Sequence, residues 1–537
     1  MIGTSRIEYI FIQTCIIGLH YLAPLCVLYC ICIFGLYGTK AFTFRFPLII
    51  EIIAIAETLF YLLVFLPYRA YLQREAIHPP PPSREERQEL FQLCNDNISD
   101  PEAYLRKWFL GAHLEDIHRE NLKEFFLWAF FNRDGPPGED EDELNGYVHA
   151  TEKLLGRDLE EGWGKAKCLR LTLDKAEMLH RSLVWYFCVG FVDFLTYVRL
   201  LSHGFHFHRT SLSRFFTLFP FRPITLLTKH RSPAKYTSYW HRPHTSTSKL
   251  PVVFIHGIGI GLYPYTKFAN ELNSLAGLET SDPDEQVGIL LIEIMPVSFR
   301  LTHPALTREE LCVEIDQILN AHFGPEQKVV LVSHSYGTVI TTHLLKDPRI
   351  SSRIGPVVLI DPVSILLHLP DVAYNFTRRK PLRANEHQLY YFASMDMGVA
   401  HTLARRFFWN ENVLWKKDLQ GHKFTVSLGG RDLIVNTEAV GEYLSSPEEG
   451  QLIELADDDV PAITRPALIG EGEEDGRRSS EGTLVDEGGA AEWKNRVWKG
   501  HGTDILYFEN LDHAQVFDKP ATRRRIIDVI RTYCADH

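Results

Sequence analysis

Ile7 to Tyr37 is almost continuously apolar, and its polar interruptions, among them Glu8, Gln13, Thr14 and His20, fall in its first half. About 20 helical residues at ~1.5 Å each cross a hydrocarbon core, whereas a secretory signal has an apolar region of about 7–15, so the run predicts a retained transmembrane helix. Pro47 to Pro67 is a second apolar stretch, broken by Glu51 and Glu57, each expensive at mid-bilayer. Two readings stand for it: a second span that closes a hairpin, or a helix at the interface or packed on a partner. In a hairpin the connecting loop holds Lys40 and Arg45, against Arg6, Arg69, Arg74, Arg84 and Arg87 on the outer flanks, which favours both termini in the cytosol. A single span reverses the side of the catalytic region. Only in a lumen would the triplets Asn97-Ile98-Ser99 and Asn375-Phe376-Thr377 matter as glycosylation acceptors.

Past this anchor (1–75) the pattern turns helical and aromatic (76–250). His78-Pro79-Pro80-Pro81-Pro82-Ser83 is a polyproline spacer, and Asp100-Pro101 marks a helix start with Asp100 as N-cap. Ile117 to Asn132 predicts an amphipathic helix with a heavy aromatic face. Leu183 to Leu201 is apolar apart from Asp193 and Arg199, and phenylalanines follow from Phe205 to Phe221. It fits a buried cap helix, a membrane-surface helix or a further span. His203, His206 and His208 have no carboxylate or cysteine partner at metal-ligand spacing, so no metal site is expected there.

From residue 251 the pattern changes again. Short apolar runs bounded by turn residues, at Pro251–Ile255, Val329–Val332, Val357–Ile360, Phe424–Leu428 and Ile505–Phe508, predict buried strands. Residues 364–420 interrupt two of them with apolar helical material, expected as a lid. Residues 447–491 are acidic, rich in Gly and Ser and poor in large apolar side chains, and read as a disordered insertion.

Composition adds two corrections. The net charge of −12 is local: residues 437–492 hold 16 Asp and Glu against 3 Arg, and the rest of the chain is close to neutral. No basic nucleic-acid surface is therefore expected. The nine cysteines are odd in number, with four in the first apolar segment and the others scattered. That argues against a disulfide framework and fits a reducing compartment.

The chemistry lies where strands meet turns. Leu331-Val332-Ser333-His334-Ser335-Tyr336-Gly337 runs from a strand into a small-x-Ser-x-small turn, and Thr338 to Leu345 continues with helical apolar spacing. This is the pattern of a nucleophile elbow, with Ser333 in place of the usual glycine. Upstream, a strand enters His256-Gly257-Ile258-Gly259-Ile260-Gly261, where glycines let backbone N–H groups face a cavity as an oxyanion hole requires. Downstream, one strand ends in Gly429-Gly430-Arg431-Asp432 and another leads to Leu511-Asp512-His513-Ala514.

On these four segments, with the chain order Ser…Asp…His, the sequence resembles the α/β-hydrolase superfamily from about Pro251 to the C-terminus. The resemblance implies an α/β class: a mostly parallel sheet flanked by helices, here with helical cap or lid regions and N-terminal transmembrane helices. It also implies Ser335 as nucleophile, His513 as base, Asp432 as the acid that orients it, and Ile258 and Tyr336 as backbone oxyanion donors. Gly257 is an alternative donor and Asp361 a rival acid, since some members place the carboxylate one strand earlier. The expectation is a membrane-anchored, lipase- or esterase-like serine hydrolase of an apolar acyl ester, requiring no cofactor or metal. Its partners would be the lipid bilayer and an apolar ester or lipid substrate, with oligomeric state left open. Thioester hydrolysis, acyl transfer, carbon–carbon cleavage and a non-catalytic membrane-tethered binding protein are alternatives.

Overall fold

The apolar runs of the second half assemble into one eight-stranded sheet. Its strands are β1 (His206–His208), β2 (Tyr239–Arg242), β3 (Val252–Ile255), β4 (Ile289–Ile292), β5 (Val329–His334), β6 (Ile354–Ile360), β7 (Phe424–Gly429) and β8 (Thr503–Phe508). They lie in the order β1-β2-β4-β3-β5-β6-β7-β8. β2 runs antiparallel to β1 and β4, and every other pairing is parallel. The computed structural model describes residues 2–38, 48–274, 278, 282–446, 492–500 and 502–535. The predicted acidic insertion at 447–491 and most of the loop between the first two helices, with Lys40 and Arg45, lie outside the described residues.

Both faces of the sheet are covered, which is why its strands read as unbroken apolar runs. Val329 and Leu331 of β5 join one core with Ile315 and Ile318 of the helix Arg308–His322. Val330 and Val332 join the other with Phe268 and with Ile526 and Ile530 of the helix Pro520–Cys534. Each such side chain, fully buried, contributes about 1.5–3 kcal/mol relative to exposure. The sheet also extends upstream of the boundary expected at residue 251. β1 is three residues long and β2 reads Tyr-Trp-His-Arg, so neither carries an apolar run or a clean alternation that would mark it.

One reading of the middle region changes. The helix Arg119–Phe131 is not amphipathic: Leu122, Phe125, Phe126, Trp128, Phe130 and Phe131 are all buried. The helix Glu141–Leu155 packs beside it, and the Trp409 indole, from the 364–420 insertion, donates to its Ala129 carbonyl (2.8 Å). The helix Leu183–Ser202 buries Trp185, Tyr186, Val189, Asp193 and Tyr197 against the core and leaves Phe187, Phe191, Phe194 and Leu201 exposed. Asp193, the charge that breaks its apolar pattern, lies on the buried face. Its carboxylate pairs with Arg300 and lies 3.7 Å from Arg222, which in turn holds Glu293 through two bonds of 2.9 Å. All four groups are buried, so removing one partner strands a charge at a cost of about 3–5 kcal/mol.

The first two long helices pair with each other. Arg6–Tyr37 packs on Leu48–Leu72, and by length and composition both are able to cross a membrane, as is Leu183–Ser202. Glu51 and Glu57 are buried: Glu51 accepts from the Tyr29 hydroxyl of the first helix (3.4 Å) and Glu57 from the Val184 N–H (3.4 Å). Pro67 does not end the second helix. It has no N–H to offer Leu63, the preceding turn Tyr61–Phe65 widens to π geometry, and the helix continues to Leu72. The polar half of the first helix meets the insertion, with Tyr9 against His387 and His20 against Tyr391. Beyond it Leu25, Leu28, Ile31, Phe34 and Leu36 are exposed.

Candidate active site

Ser335 sits at the tip of the turn between β5 and the helix Gly337–Leu345, with φ of +52°. A non-glycine residue held in this left-handed region is strained, and the strain lifts its side chain out of the turn. The crowding that enforces this is visible on both sides. A Cβ at Gly337 would meet the Ile255 carbonyl oxygen at 2.4 Å, and one at Gly257 would meet the Ser335 Cβ at 2.7 Å. Ser333 is accommodated because its hydroxyl is buried and accepts from Thr341 (2.7 Å) on the following helix.

His513, on the loop after β8, and Asp432, on the turn after β7, close on this serine. Ser335 Oγ lies 2.8 Å from His513 Nε2, and His513 Nδ1 lies 2.8 Å from Asp432 Oδ2. The other Asp432 oxygen accepts the N–H groups of Ile434 (2.8 Å) and Val435 (3.0 Å), which fixes the carboxylate against rotation. Burial disfavours the imidazolium of His513, but the Asp432 carboxylate, aided by Asp361 and Asp512, outweighs it and pushes the imidazole up to about 9. Such a chain can draw the proton from a serine hydroxyl and hold the resulting imidazolium.

The two neighbouring carboxylates do different things. Asp361, at the end of β6, accepts the Ala514 N–H (2.7 Å) and stands 3.6 Å from His334 Nε2, beyond hydrogen-bond reach. It thus pins the His513 loop rather than the His513 ring. Asp512 accepts from the N–H of Leu433 (3.1 Å), the N–H of His513 (2.7 Å) and the Asn385 side chain (2.6 Å), tying the acid and base loops to the 364–420 insertion. Asp361, Asp432 and His513 are close enough together to be considered as metal ligands. Their donors and acceptors are already matched to one another and to backbone N–H groups.

The glycine loop after β3 supplies backbone donors. The Gly257 N–H is taken by the Tyr265 hydroxyl (3.3 Å), which itself lies 2.7 Å from His334 Nδ1, so Gly257 is not the free donor. Among the described residues the N–H groups of Ile258 and Tyr336 donate to no other group. His256 orients the first of them. Its Nδ1–H donates to the Gly257 carbonyl (2.8 Å) while its Nε2 accepts from the Ile294 N–H (2.9 Å). In a trans peptide the C=O and N–H oppose each other, so this bond turns the Ile258 N–H the other way. Tyr265 and His334 escaped the sequence reading, because nothing in local spacing shows that a tyrosine ten residues past a strand returns to it.

Ser335, Ile258 and Tyr336 open on a narrow cavity with a mostly apolar lining. Trp108 and Trp128 come to it from the middle region, and Leu367, Phe376 and Phe407 from the insertion.

No protein-family model and no curated protein matches the chain in sequence. Solved structures match it at low overall similarity. One is a membrane phospholipase A described as a bacterial virulence factor (11% identity, TM-score 0.34, covering 65% of this chain and 94% of that one). Others are the carboxylesterase CesB of Bacillus subtilis (11%, 0.32, 64% and 98%) and 2-hydroxy-6-oxo-6-phenylhexa-2,4-dienoate hydrolase of Rhodococcus sp. strain RHA1 (12%, 0.31, 55% and 94%). Likenesses this slight say nothing about substrate. With a strained serine turn after a central parallel strand and a sheet covered by helices on both faces, the chain has the α/β-hydrolase fold.

Proposed function

We propose that the protein is a membrane-anchored serine hydrolase that cleaves esters of apolar acyl chains. The observation that carries this reading is the unbroken chain Ser335–His513–Asp432, with both bonds at 2.8 Å, at the mouth of an apolar cavity. In the proposed cycle Ser335 Oγ attacks the ester carbonyl and His513 Nε2 takes its proton. The tetrahedral oxyanion is met by the N–H groups of Ile258 and Tyr336, each worth about 3–4 kcal/mol of barrier. The C–O bond to the alcohol then breaks, His513 protonates the leaving oxygen, and an acyl-serine remains. Water, deprotonated by the same histidine, releases the acid and restores Ser335. Asp432 holds the histidine tautomer and stabilises the imidazolium throughout.

In this reading the cavity takes the acyl side of the substrate. Ala373, buried in its wall, is small enough that a larger side chain there shortens the space. Ala373→Phe is expected to move the optimum to shorter esters, roughly tenfold or more in kcat/KM against long ones, as a few methylenes lost from a pocket imply. A series of p-nitrophenyl esters of graded chain length reads this directly. An unchanged length profile in the variant would place the acyl chain elsewhere.

The hairpin supports the membrane part of the proposal. From Tyr21 to Tyr37 the first helix extends roughly 25 Å, near the hydrocarbon thickness of about 30 Å, and apart from Ala23 and Cys26 its side chains there are exposed or half-buried and apolar. The exposed phenylalanine face of Leu183–Ser202 then rests on the bilayer surface while Asp193 holds its other face to the body. Carbonate extraction is expected to leave the protein in the membrane pellet. In sealed microsomes the catalytic domain should be digested by added protease and Asn97 and Asn375 should carry no glycan, because basic residues outside the hairpin outnumber those in its loop. Protection of the domain, or a mass loss with a glycosidase, would place it in a lumen.

A further inference from the structure

A second polar cluster lies at the other end of the sheet. In the β1–β2 register His206 faces His241 and His208 faces Tyr239, so these four side chains share one face, while Phe207 and Trp240 enter the core opposite. His322, the last residue of the helix Arg308–His322, reaches the same face: its ring centroid lies 3.7 Å from that of His241 and 5.0 Å from that of His208. One ring nitrogen from each of His208, His241 and His322 lies within 4.8 Å of the others. The Tyr239 hydroxyl sits 3.1 Å from His208 Nδ1 and 2.7 Å from His322 Nε2. His241 Nε2 is buried and has no hydrogen-bond partner among the described residues.

Imidazoles crowded in this way are neither a satisfied hydrogen-bond network nor a good apolar core. A neutral imidazole keeps one ring-nitrogen lone pair with which it can bind a metal ion. One hydroxyl serves two of the rings, and the third is left with a buried nitrogen that nothing meets. Neutral imidazoles converging from a strand pair and a helix end are the ligand set of a borderline metal ion.

We propose that His208, His241 and His322 bind one divalent transition-metal ion of the Zn²⁺ type, which clamps the β1–β2 edge to the end of the helix Arg308–His322. Tetrahedral Zn²⁺ with bonds of about 2.0–2.1 Å sets its nitrogens about 3.4 Å apart. Closing from 4.8 Å therefore asks for about 1.4 Å at most. Rotation of the imidazoles supplies that without moving the sheet. Water takes the fourth position with the Tyr239 hydroxyl as its hydrogen-bond partner. The role is structural: β1 has only three residues, and the ion ties it down where its own ladder is short. The site is separate from Ser335, since β2 and β5 are three strand positions apart, about 14 Å. Of the local trio His203, His206 and His208 only the last takes part; the other two ligands come from distant segments.

The test uses the full, tag-free chain in detergent, stripped with a chelator and titrated with Zn²⁺ and Co²⁺. One equivalent of Co²⁺ is expected to give the strong visible absorption of a four-coordinate ion. His241→Phe and His322→Phe, which preserve ring volume, are expected to lose roughly 100-fold or more in affinity. Zn²⁺ is expected to raise the Tm of the parent chain and not that of the double variant. Fluorophosphonate labelling of Ser335 in the variants reports that the fold survives. Should the parent chain take up no Co²⁺ or Zn²⁺ at 100 µM, or the variants bind with parental affinity and stoichiometry, the cluster is a neutral histidine stack and the proposal falls.

Discussion

Ser335→Ala is expected to abolish both fluorophosphonate labelling and ester hydrolysis, with kcat reduced by roughly 10⁴-fold or more and circular dichroism and Tm close to parental. The size of the effect follows from the bonding. Ser335 Oγ is the atom that His513 Nε2 addresses, and no other hydroxyl among the described residues is bonded to that nitrogen. The fold should tolerate the change, because alanine keeps the Cβ against which Gly257 is already fitted. It relieves none of the backbone strain, since the positive φ belongs to the turn and not to the hydroxyl. Activity retained by the variant would mean that the turn is merely a strand–helix connection.

Asp432→Asn and Asp361→Asn are expected to differ in kind, although both carboxylates lie near His513. Replacing Asp432 removes the acceptor for Nδ1–H and frees the ring to adopt the wrong tautomer, a loss of about 10⁴-fold in kcat. Replacing Asp361 leaves that bond intact. It removes one of the negative charges that raise the His513 pKa toward 9, so the imidazolium becomes less stable and its pKa falls. A general base works only when neutral. The acidic limb of kcat/KM against pH, expected near 9 in the parent, should therefore move to lower pH in Asp361→Asn, with much smaller loss at its plateau. Equal plateau losses in the two variants, or an acidic limb left in place by Asp361→Asn, would exchange their roles.

The contrast between these aspartates shows how far sequence could reach. Ser335, Asp432 and His513 each follow a strand at a turn, with glycines beside the first two, so local pattern pointed to them. β5, β6 and β7 were legible for the same reason: a strand buried on both faces must be apolar throughout. β1 and β2 were not, since an edge strand of three or four residues bearing histidines is stabilised by its neighbours and not by its own pattern. The apolar cavity was half legible. The insertion was read as a lid, but Trp108 and Trp128 reach the cavity through packing between segments far apart in the chain, which no periodicity records. Asp193 is a partial signal: a charge in an apolar helix argues against a membrane span, yet says nothing of Arg300, the buried partner that it meets.

The most direct measurement is capture of the acyl-enzyme. The detergent-solubilised full chain would be mixed with a long-chain p-nitrophenyl ester, quenched in acid within the first turnovers, digested and examined by mass spectrometry. The account predicts a burst of p-nitrophenol and a peptide containing Ser335 heavier by one acyl group, absent from Ser335→Ala and present in catalytically slowed His256→Ala, which loses the bonds to the Gly257 carbonyl and the Ile294 N–H but keeps Ser335. Turnover of the ester with the Ser335 peptide unmodified, or with the acyl group on another residue, would contradict it.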